Sequence, residues 1–215
     1  STNLVHAPYI INLATIKNRD FDILFLKQEI NRVLSLGVKR LILHPGSHVG
    51  IGEDSAIEKI IEGLNEVMTN NDVVICIEAM SKKGTEIGDI DELAKIYQGC
   101  IYKDRIEVCL DTCHLSDAGY DVSNFDTIID MIEQKIGVNK IGCIHINDSK
   151  NTNGSHKDRH ANIGEGFLGL ELLKAIVHNK RLENVPKILE TPWKTDEKGM
   201  LYAPYKEEIE LLKTI

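Results

Sequence analysis

Six hydrophobic runs in this chain each end on a side chain that can hold a metal ion: His6 in LVHAPY, His44 in LILHPG, Glu78 in VVICIEAM, Asp111 in IEVCLDTCH, His145 in IGCIHIND and Glu190 in PKILETPW. Imidazole nitrogens and carboxylate oxygens together suit zinc and similar ions, which activate water and offset negative charge in hydrolysis. The successive separations of 38, 34, 33, 34 and 45 residues are close to the length of one strand-helix-strand unit. Parallel strands joined by helices all point the same way, so their C-terminal ends converge on one rim. Six such donors on one rim would form a metal centre.

The elements needed to position them read as strands and helices in alternation. In residues 54–70, Ile57, Ile60, Ile61, Leu64, Val67 and Met68 recur at spacings of three and four, with Glu58, Lys59, Glu62 and Glu66 opposite, which predicts an amphipathic helix. Residues 22–36 repeat the pattern, and Gly37 is placed to end that helix before a strand at 38–43. Asp89 with Glu92 and Ser123 with Asp126 have the spacing of N-terminal capping boxes, ahead of helices near 90–98 and 124–136; two more helices are expected near 168–179 and 205–213. The strands are short and nearly all apolar, as in parallel sheets buried on both faces. Without a linker, low-complexity tract or boundary, residues 1–215 read as one domain. One polar stretch breaks the rhythm: SKNTNGSHKDRHANIGEG, residues 149–166, is longer than an ordinary connection and has the length of a binding loop or a disordered segment. An extended backbone there would put Asp158 and His160 on one side, able to clamp an ion.

Composition sets the wider frame. No apolar run approaches the roughly 18 residues of a membrane span, and the sequence has no signal-peptide pattern, so a cytoplasmic enzyme is expected, or a nuclear one in a eukaryote. Five cysteines, with Cys76, Cys109 and Cys143 inside apolar strand patterns, point to reduced core thiols instead of disulfides. A net charge of −8 argues against a protein that simply coats nucleic acid. Bound cations weaken that objection, so charge alone does not choose the partner.

A lone His or Asp at a strand end is more often a satisfied core group or helix cap than a ligand, and it is the shared register of six that favours metal. His114, three residues past Asp111 on the turn leaving the same strand, is placed for a different ion from its neighbour. His48, His156 and His178 fall outside the pattern and read as surface or supporting residues. Cys113 offers a thiolate, but oxygen and nitrogen donors around it favour packing.

Read together, the segments HAPY, HPGSH, CLDTCHLSDAGYD, HIND, DRHANIGEG and ILET resemble the signatures of the endonuclease IV family of apurinic/apyrimidinic endonucleases, in order and in spacing, from His6 to the C-terminus. The resemblance implies an α/β fold of the TIM (β/α) barrel type and three zinc ions, with manganese an alternative in one position. His6, His44 and Glu78 would hold one ion. Glu78 would bridge to a second, held also by Asp111, His145 and Glu190, and His114, Asp158 and His160 would hold the third. Glu78 and Glu190 are then the expected catalytic carboxylates. The implied substrate is double-stranded DNA cut 5′ to an abasic site, by a monomer. Tyr9 matches a position inserted into the duplex in that family, against the alternative of a tyrosine packed on the rim. Lys150, Lys157 and Arg159 surround the third-site ligands and could grip phosphates, or simply face solvent.

The match has two departures. After Glu78 the sequence reads Ala79-Met80-Ser81-Lys82-Lys83-Gly84, with Lys82 where the family has a glycine. A TIM barrel has eight strands and about six βα units are read here, so a fragment is expected, lacking two units and leaving two sheet edges unpaired. Two rivals follow. A single-metal sugar isomerase or epimerase of the same superfamily would use Glu78, Asp111, His145 and Glu190 but leave the other donors unexplained. A catalytically impaired lesion-binding fragment would use the whole set without turnover.

Overall fold

The computed structural model describes residues 3–214. In chain order the elements are β1 (Leu4–His6), α1 (Arg19–Ser35), β2 (Arg40–Leu43), α2 (Glu53–Val67), β3 (Val74–Glu78), α3 (Ile90–Gly99), β4 (Ile106–Asp111), α4 (Thr112–Asp117), α5 (Phe125–Lys135) and β5 (Ile141–His145). There follow β6 (Asp148–Ser149), β7 (His160–Ala161), α6 (Leu170–Val177), β8 (Lys187–Ile188), β9 (Lys194–Thr195), β10 (Leu201–Tyr202) and α7 (Tyr205–Lys213). Six strands form one parallel sheet in the order β1-β2-β3-β4-β5-β8. The sheet curls, so that its two edges, Leu4 on one side and Pro186, Lys187 and Ile188 on the other, border a single cavity of about 670 Å³.

Side chains alternate along each strand, and that alternation divides the sheet into two faces of different character. The outer face carries Leu41, Leu43, Ile75, Ile77, Val108, Leu110 and Ile144, packed with Ile57, Ile60, Leu64 and Leu93 from the helices in the main apolar core. The inner face is arranged in layers. Arg40 and Glu107 form its floor, with guanidinium to carboxylate distances of 2.8 and 3.0 Å. Ile42, Cys76, Cys109 and Cys143 form a small dry layer above, closed by Leu4 and Ile188. The next inward residues along each run are His6, His44, Glu78, Asp111, His145 and Glu190.

Strand β5 reaches this phase by a bulge. Val108 pairs with Ile141, but the following Cys109 pairs with Cys143, so Gly142 is the extra residue, and Ile141 and His145 fall on opposite faces. A bulge residue crowded by neighbouring side chains favours glycine. A Cβ on Gly142 would lie 2.3 Å from Glu107 Oε2 and 2.7 Å from Cys76 Sγ.

Most of the expected elements are present within a few residues. Gly37 ends α1 at φ 71°, and Asp89 with Glu92 forms the full capping box of α3. Ser123 does not cap α5. Its N–H and hydroxyl both donate to Asp121, which holds residues 122–124 in a tight turn and leaves Asn124 at the cap position without a side-chain bond. The polar stretch is no open loop: β6 and β7 pair antiparallel, Asp148 opposite Ala161 and Ser149 opposite His160. Among the described residues no helix is long and apolar enough to cross a membrane.

The floor of the inner face yields a direct test. Replacing Gly142 by Ala forces the Arg40–Glu107 pair or the Cys76 side chain to move, and overpacking of this kind costs about 1–3 kcal/mol. Urea unfolding of Gly142→Ala should show a lowered midpoint with an unchanged slope; a wild-type midpoint would mean that the floor has room to spare.

Candidate metal centre

Four strand ends deliver four of the donors directly: His6, Glu78, Asp111 and His145 are the last residues of β1, β3, β4 and β5, while His44 and Glu190 lie one and two residues beyond β2 and β8. Helix α4 begins immediately after Asp111, whose carboxylate accepts from the His114 N–H at 2.9 Å and so turns the His114 ring back over the rim. The hairpin β6–β7 brings in Asp158 and His160.

Their polar atoms gather into three groups in which all candidate donor atoms lie within 4.8 Å of one another: His6, His44 and Glu78; Glu78, Asp111, His145 and Glu190; His114, Asp158 and His160. Glu78 belongs to two of them. Its Oε2 lies 3.0 Å from His6 Nε2 and 3.2 Å from His44 Nε2, and its Oε1 lies 3.2 Å from His114 Nδ1 and 3.1 Å from His145 Nδ1. His145 Nδ1 is also 3.0 Å from Glu190 Oε2, and His114 Nε2 is 3.1 Å from Asp158 Oδ1. Two further clusters involve sulfur, Cys109 and Cys143 with His145, and Cys113 with Asp111 and His160. Burial pushes the Cys113 thiol up to about 12 and that of Cys109 higher, so neither is a ready thiolate.

The ring orientations bear on whether a cation fits. His6 Nδ1 faces the carbonyl oxygen of Ala7 at 2.7 Å, His114 Nδ1 that of Ala79 at 3.0 Å and His160 Nδ1 that of Glu190 at 3.2 Å. A carbonyl only accepts, so Nδ1 carries the proton in each ring, and a neutral ring would point the lone pair of Nε2 at a carboxylate. That contact is repulsive unless a proton or a metal ion lies in it. His160 Nε2 and His145 Nε2 are buried without a hydrogen-bond partner. Among the described residues Glu78, Asp111, Asp158 and Glu190 form ion pairs with histidines alone. Two donors of one tetrahedral zinc, each about 2.0–2.1 Å from it, lie about 3.3 Å apart; the contacts above, at 3.0–3.2 Å, fall just inside that spacing. The donor set fits divalent ions of zinc type, with imidazoles held by carbonyls in the manner that orients metal ligands.

The charges are correspondingly displaced. Burial alone would raise the Glu78 carboxyl, but His145, His114 and His44 hold it well below the usual range. Asp111 is likewise buried and is held low by His114, His160 and His145. Burial works against charge on His114 and His145, yet Asp111, Asp158 and Glu78 lift the first well above an ordinary histidine, and Glu78, Asp111 and Glu190 lift the second.

The sequence reading missed three residues that hold this arrangement. Asn147 donates to Asp111 Oδ2 at 2.6 Å and accepts from the Glu190 N–H at 2.9 Å. It lies two residues past His145, and that inward phase was its signal. Asp117, one helical turn past His114, accepts from the Asp158 N–H and the Ser149 hydroxyl. Asp148 accepts backbone N–H groups from Ser149, Gly164, Gly166, Leu168 and Gly169. Asp158 itself is left-handed, φ 51°, so the expected extended backbone is wrong there. The Asp117 bond fixes the turn, and the two side chains still meet at His114. Lys82 also takes a left-handed backbone, φ 59°, and its ammonium pairs with Glu92 at 2.7 Å and Asp89 at 3.3 Å. It keeps the conformation a glycine would give.

Tyr9 is 82% exposed and stands beside the centre at a cavity of about 520 Å³ shared with His44, Met80, Lys83 and Asp158; it is not packed on the rim. Lys150, Lys157 and Arg159 are exposed, and Arg159 donates to the Asp158 carbonyl. His156 and His178 are exposed and bonded to the carbonyls of Ser81 and Leu212.

Burial opposes a proton on His6, His114 and His145, but the carboxylates around them outweigh it and raise their affinity for protons, so the metal-free chain holds these protons to a higher pH than ordinary histidines would. An ion binding there must displace them, so zinc uptake should release protons and its apparent affinity should rise with pH across about pH 6 to 8. Calorimetry in buffers of different ionisation enthalpy reads this release; an enthalpy that does not depend on the buffer would contradict it.

A family model described as the xylose isomerase-like TIM barrel matches residues 2–215. The probable endonuclease 4 of Staphylococcus carnosus is 50% identical over 220 residues, which cover 100% of this chain and 74% of the relative. The crystal structure of endonuclease IV from Thermus thermophilus superposes with a TM-score of 0.80 at 27% identity, covering 98% of this chain and 74% of the other. A D-tagatose 3-epimerase-like protein, at 19% identity and a TM-score of 0.72 over 98% and 75% of the two chains, shares the fold. This chain thus spans about three quarters of the length of the relatives it matches. With its six-stranded parallel half-barrel, it belongs to the endonuclease IV family of the xylose isomerase-like TIM barrels.

Proposed function

We propose that the chain is a zinc-dependent apurinic/apyrimidinic endonuclease that hydrolyses the DNA phosphodiester on the 5′ side of an abasic site in base excision repair. The observation that carries this reading is the division of nine donors into three groups, two of which share Glu78, with no lysine or arginine among the described residues paired with the carboxylates. Relatives named endonuclease 4 and endonuclease IV point to the same substrate class.

His6, His44 and Glu78 would hold one ion, Glu78, Asp111, His145 and Glu190 a second, and His114, Asp158 and His160 a third. When bound, such ions supply an activated water at neutral pH and compensate charge on the attacking and leaving oxygens of the phosphodiester. The chain's own residues do the rest. Glu78, ionised by the histidines around it, ties two donor groups at a fixed separation. Glu190 is 33% exposed at its side chain, whereas Glu78 and Asp111 are sealed. It is the carboxylate of its group that can accept a proton from an incoming water at Oε2. Tyr9, at the open cavity, is placed to fill space left in a duplex by a missing base. Lys150, Lys157 and Arg159 are exposed on the segment that carries Asp158 and His160 and would meet phosphates.

Cleavage of a duplex with one abasic site, run on metal-quantified protein with and without chelator, tests chemistry and cofactor together. About three ions per chain support this reading. One ion held by Glu78, Asp111, His145 and Glu190 would favour the sugar isomerase or epimerase alternative, and binding without turnover would favour a lesion-binding module.

Glu78→Gln should lower turnover by about a hundredfold or more, because an amide joins two cationic groups poorly and removes the charge that holds them. Near-normal cleavage by that variant with its metals retained would remove Glu78 from the bridging role. Replacing Lys150, Lys157 and Arg159 together by Ala should weaken abasic-duplex binding and reduce the slope of log K against log salt by about 2.7, at roughly 0.9 per phosphate contact. An unchanged slope with unchanged metal content would put the DNA path elsewhere on the rim.

A further inference from the structure

Helix α7 docks through a residue that its position does not call for. The buried stripe of the helix runs through Glu208 and Leu212, four residues apart and 2% and 5% exposed, and an apolar side chain at 208 would avoid the cost of burying a carboxylate. Glu208 is instead fully engaged with two segments of the rim. Its Oε1 accepts from Asn162 Nδ2 at 2.9 Å and from the Ile163 N–H at 3.1 Å, and its Oε2 accepts from the Thr191 hydroxyl. Asn162 lies two residues past His160, and Thr191 directly follows Glu190. The circuit closes on itself: His160 Nδ1 donates to the Glu190 carbonyl at 3.2 Å, and Asn162 Nδ2 also donates to the Pro192 carbonyl at 2.9 Å.

We propose that Glu208 is a positioning residue that sets His160 against Glu190, and so couples the donor group on the hairpin to the group around His145 from the C-terminal helix. Glu208 accepts from Asn162, Ile163 and Thr191 and makes no hydrogen bond or ion pair with any of the nine donor side chains. Its hydrogen bonds act one to three residues along the chain, where a small displacement swings His160 and Glu190 in or out of register with their partners. The group formed by His6, His44 and Glu78 shares no hydrogen bond with it. The proposal rests on the metal-binding reading of these groups.

Cobalt(II) added to metal-free protein and followed by its visible absorption separates the possibilities. The wild-type chain should fill all three groups. In Glu208→Leu, with urea unfolding used to confirm a folded chain, cobalt should bind roughly 10–100-fold more weakly at the two groups containing Glu190 and His160, the usual effect of removing an outer partner of ligands. Binding at His6, His44 and Glu78 should be unchanged. Glu208→Gln should restore most of the affinity, because its amide oxygen can accept from Asn162 and Ile163 while its nitrogen donates to Thr191. Wild-type affinity at every group in folded Glu208→Leu would overturn the coupling. Should that variant not fold, Thr191→Val removes a single donor on the Glu190 side, and unchanged cobalt binding there would overturn it equally. A wild-type chain that takes up no cobalt would overturn the reading of the centre itself, and this proposal with it.

Discussion

The fully buried carboxylate of Glu78, with imidazole nitrogens of four histidines 3.0–3.2 Å from its two oxygens, is the constraint around which the rest of the rim is arranged. A buried carboxylate carries a desolvation cost of several kcal/mol, and no lysine or arginine among the described residues offsets it. Compensation must come from protons on the histidines or from cations between them, and both require His6, His44, His114 and His145 to be present at once. They come from β1, the residue after β2, α4 and β5, so the charge on one side chain depends on the correct closure of most of the sheet. A slip of one residue in any strand would replace a donor by an apolar side chain.

The layering of the inner face explains how that closure is kept. Donors occupy the top layer, the small side chains of Cys76, Cys109 and Cys143 the middle, and the Arg40–Glu107 pair the floor. Thiols suit the middle because they fill space without demanding hydrogen bonds; burial raises the Cys109 thiol, and the Cys109 sulfur together with burial raises that of Cys143. The floor pair ties β2 to β4 across β3, fixing from below the register on which Glu78 depends from above. The bulge at Gly142 belongs to the same device: without the extra residue, His145 would face the helices.

What the sequence made legible and what it hid follow from the range of the interactions involved. The six rim donors could be read because each ends an apolar run, and a run of that kind has one direction and one end. Helices α2 and α3 could be read from spacing and from the Asp89–Glu92 box, both local. The bulge could not, since Gly142 is explained only by Glu107 and Cys76, which are distant in sequence. Ser123 had the right spacing for a cap, but Asp121, two residues earlier, captures both its donors. Asp158 and His160 come together at His114, as their spacing suggests, but by a different route: no single extended strand holds both, and the left-handed turn at Asp158 is fixed by Asp117 on a helix 41 residues away.

The three donor groups differ in how they are made rigid. Strand ends supply the donors around Glu78, and the parallel ladder has already restricted that backbone. The hairpin carrying Asp158 and His160 has only a two-residue pairing of its own, so ordering it must be offset by other bonds, at about 1–2 kcal/mol of backbone entropy for each residue fixed. The structure offsets that entropy with buried carboxylates: Asp117 holds the turn before Asp158, Asp148 gathers the glycine-containing end of the segment through five backbone N–H groups, and Glu208 ties Asn162 and Ile163 to the C-terminal helix. Each is itself expensive to bury, and each takes at least one backbone N–H of this segment that would otherwise be left unpaired: Asp158 for Asp117, Gly164 for Asp148 and Ile163 for Glu208. The acidic residues that build this rim therefore divide into two kinds. Glu78, Asp111, Asp158 and Glu190 face imidazoles, Asp111 while also accepting from the His114 N–H and the Asn147 amide, whereas Asp117, Asp148 and Glu208 accept only from N–H, amide and hydroxyl donors. Reading the kind from the partner, and not from the residue type, is what separates the centre from the scaffold that holds it.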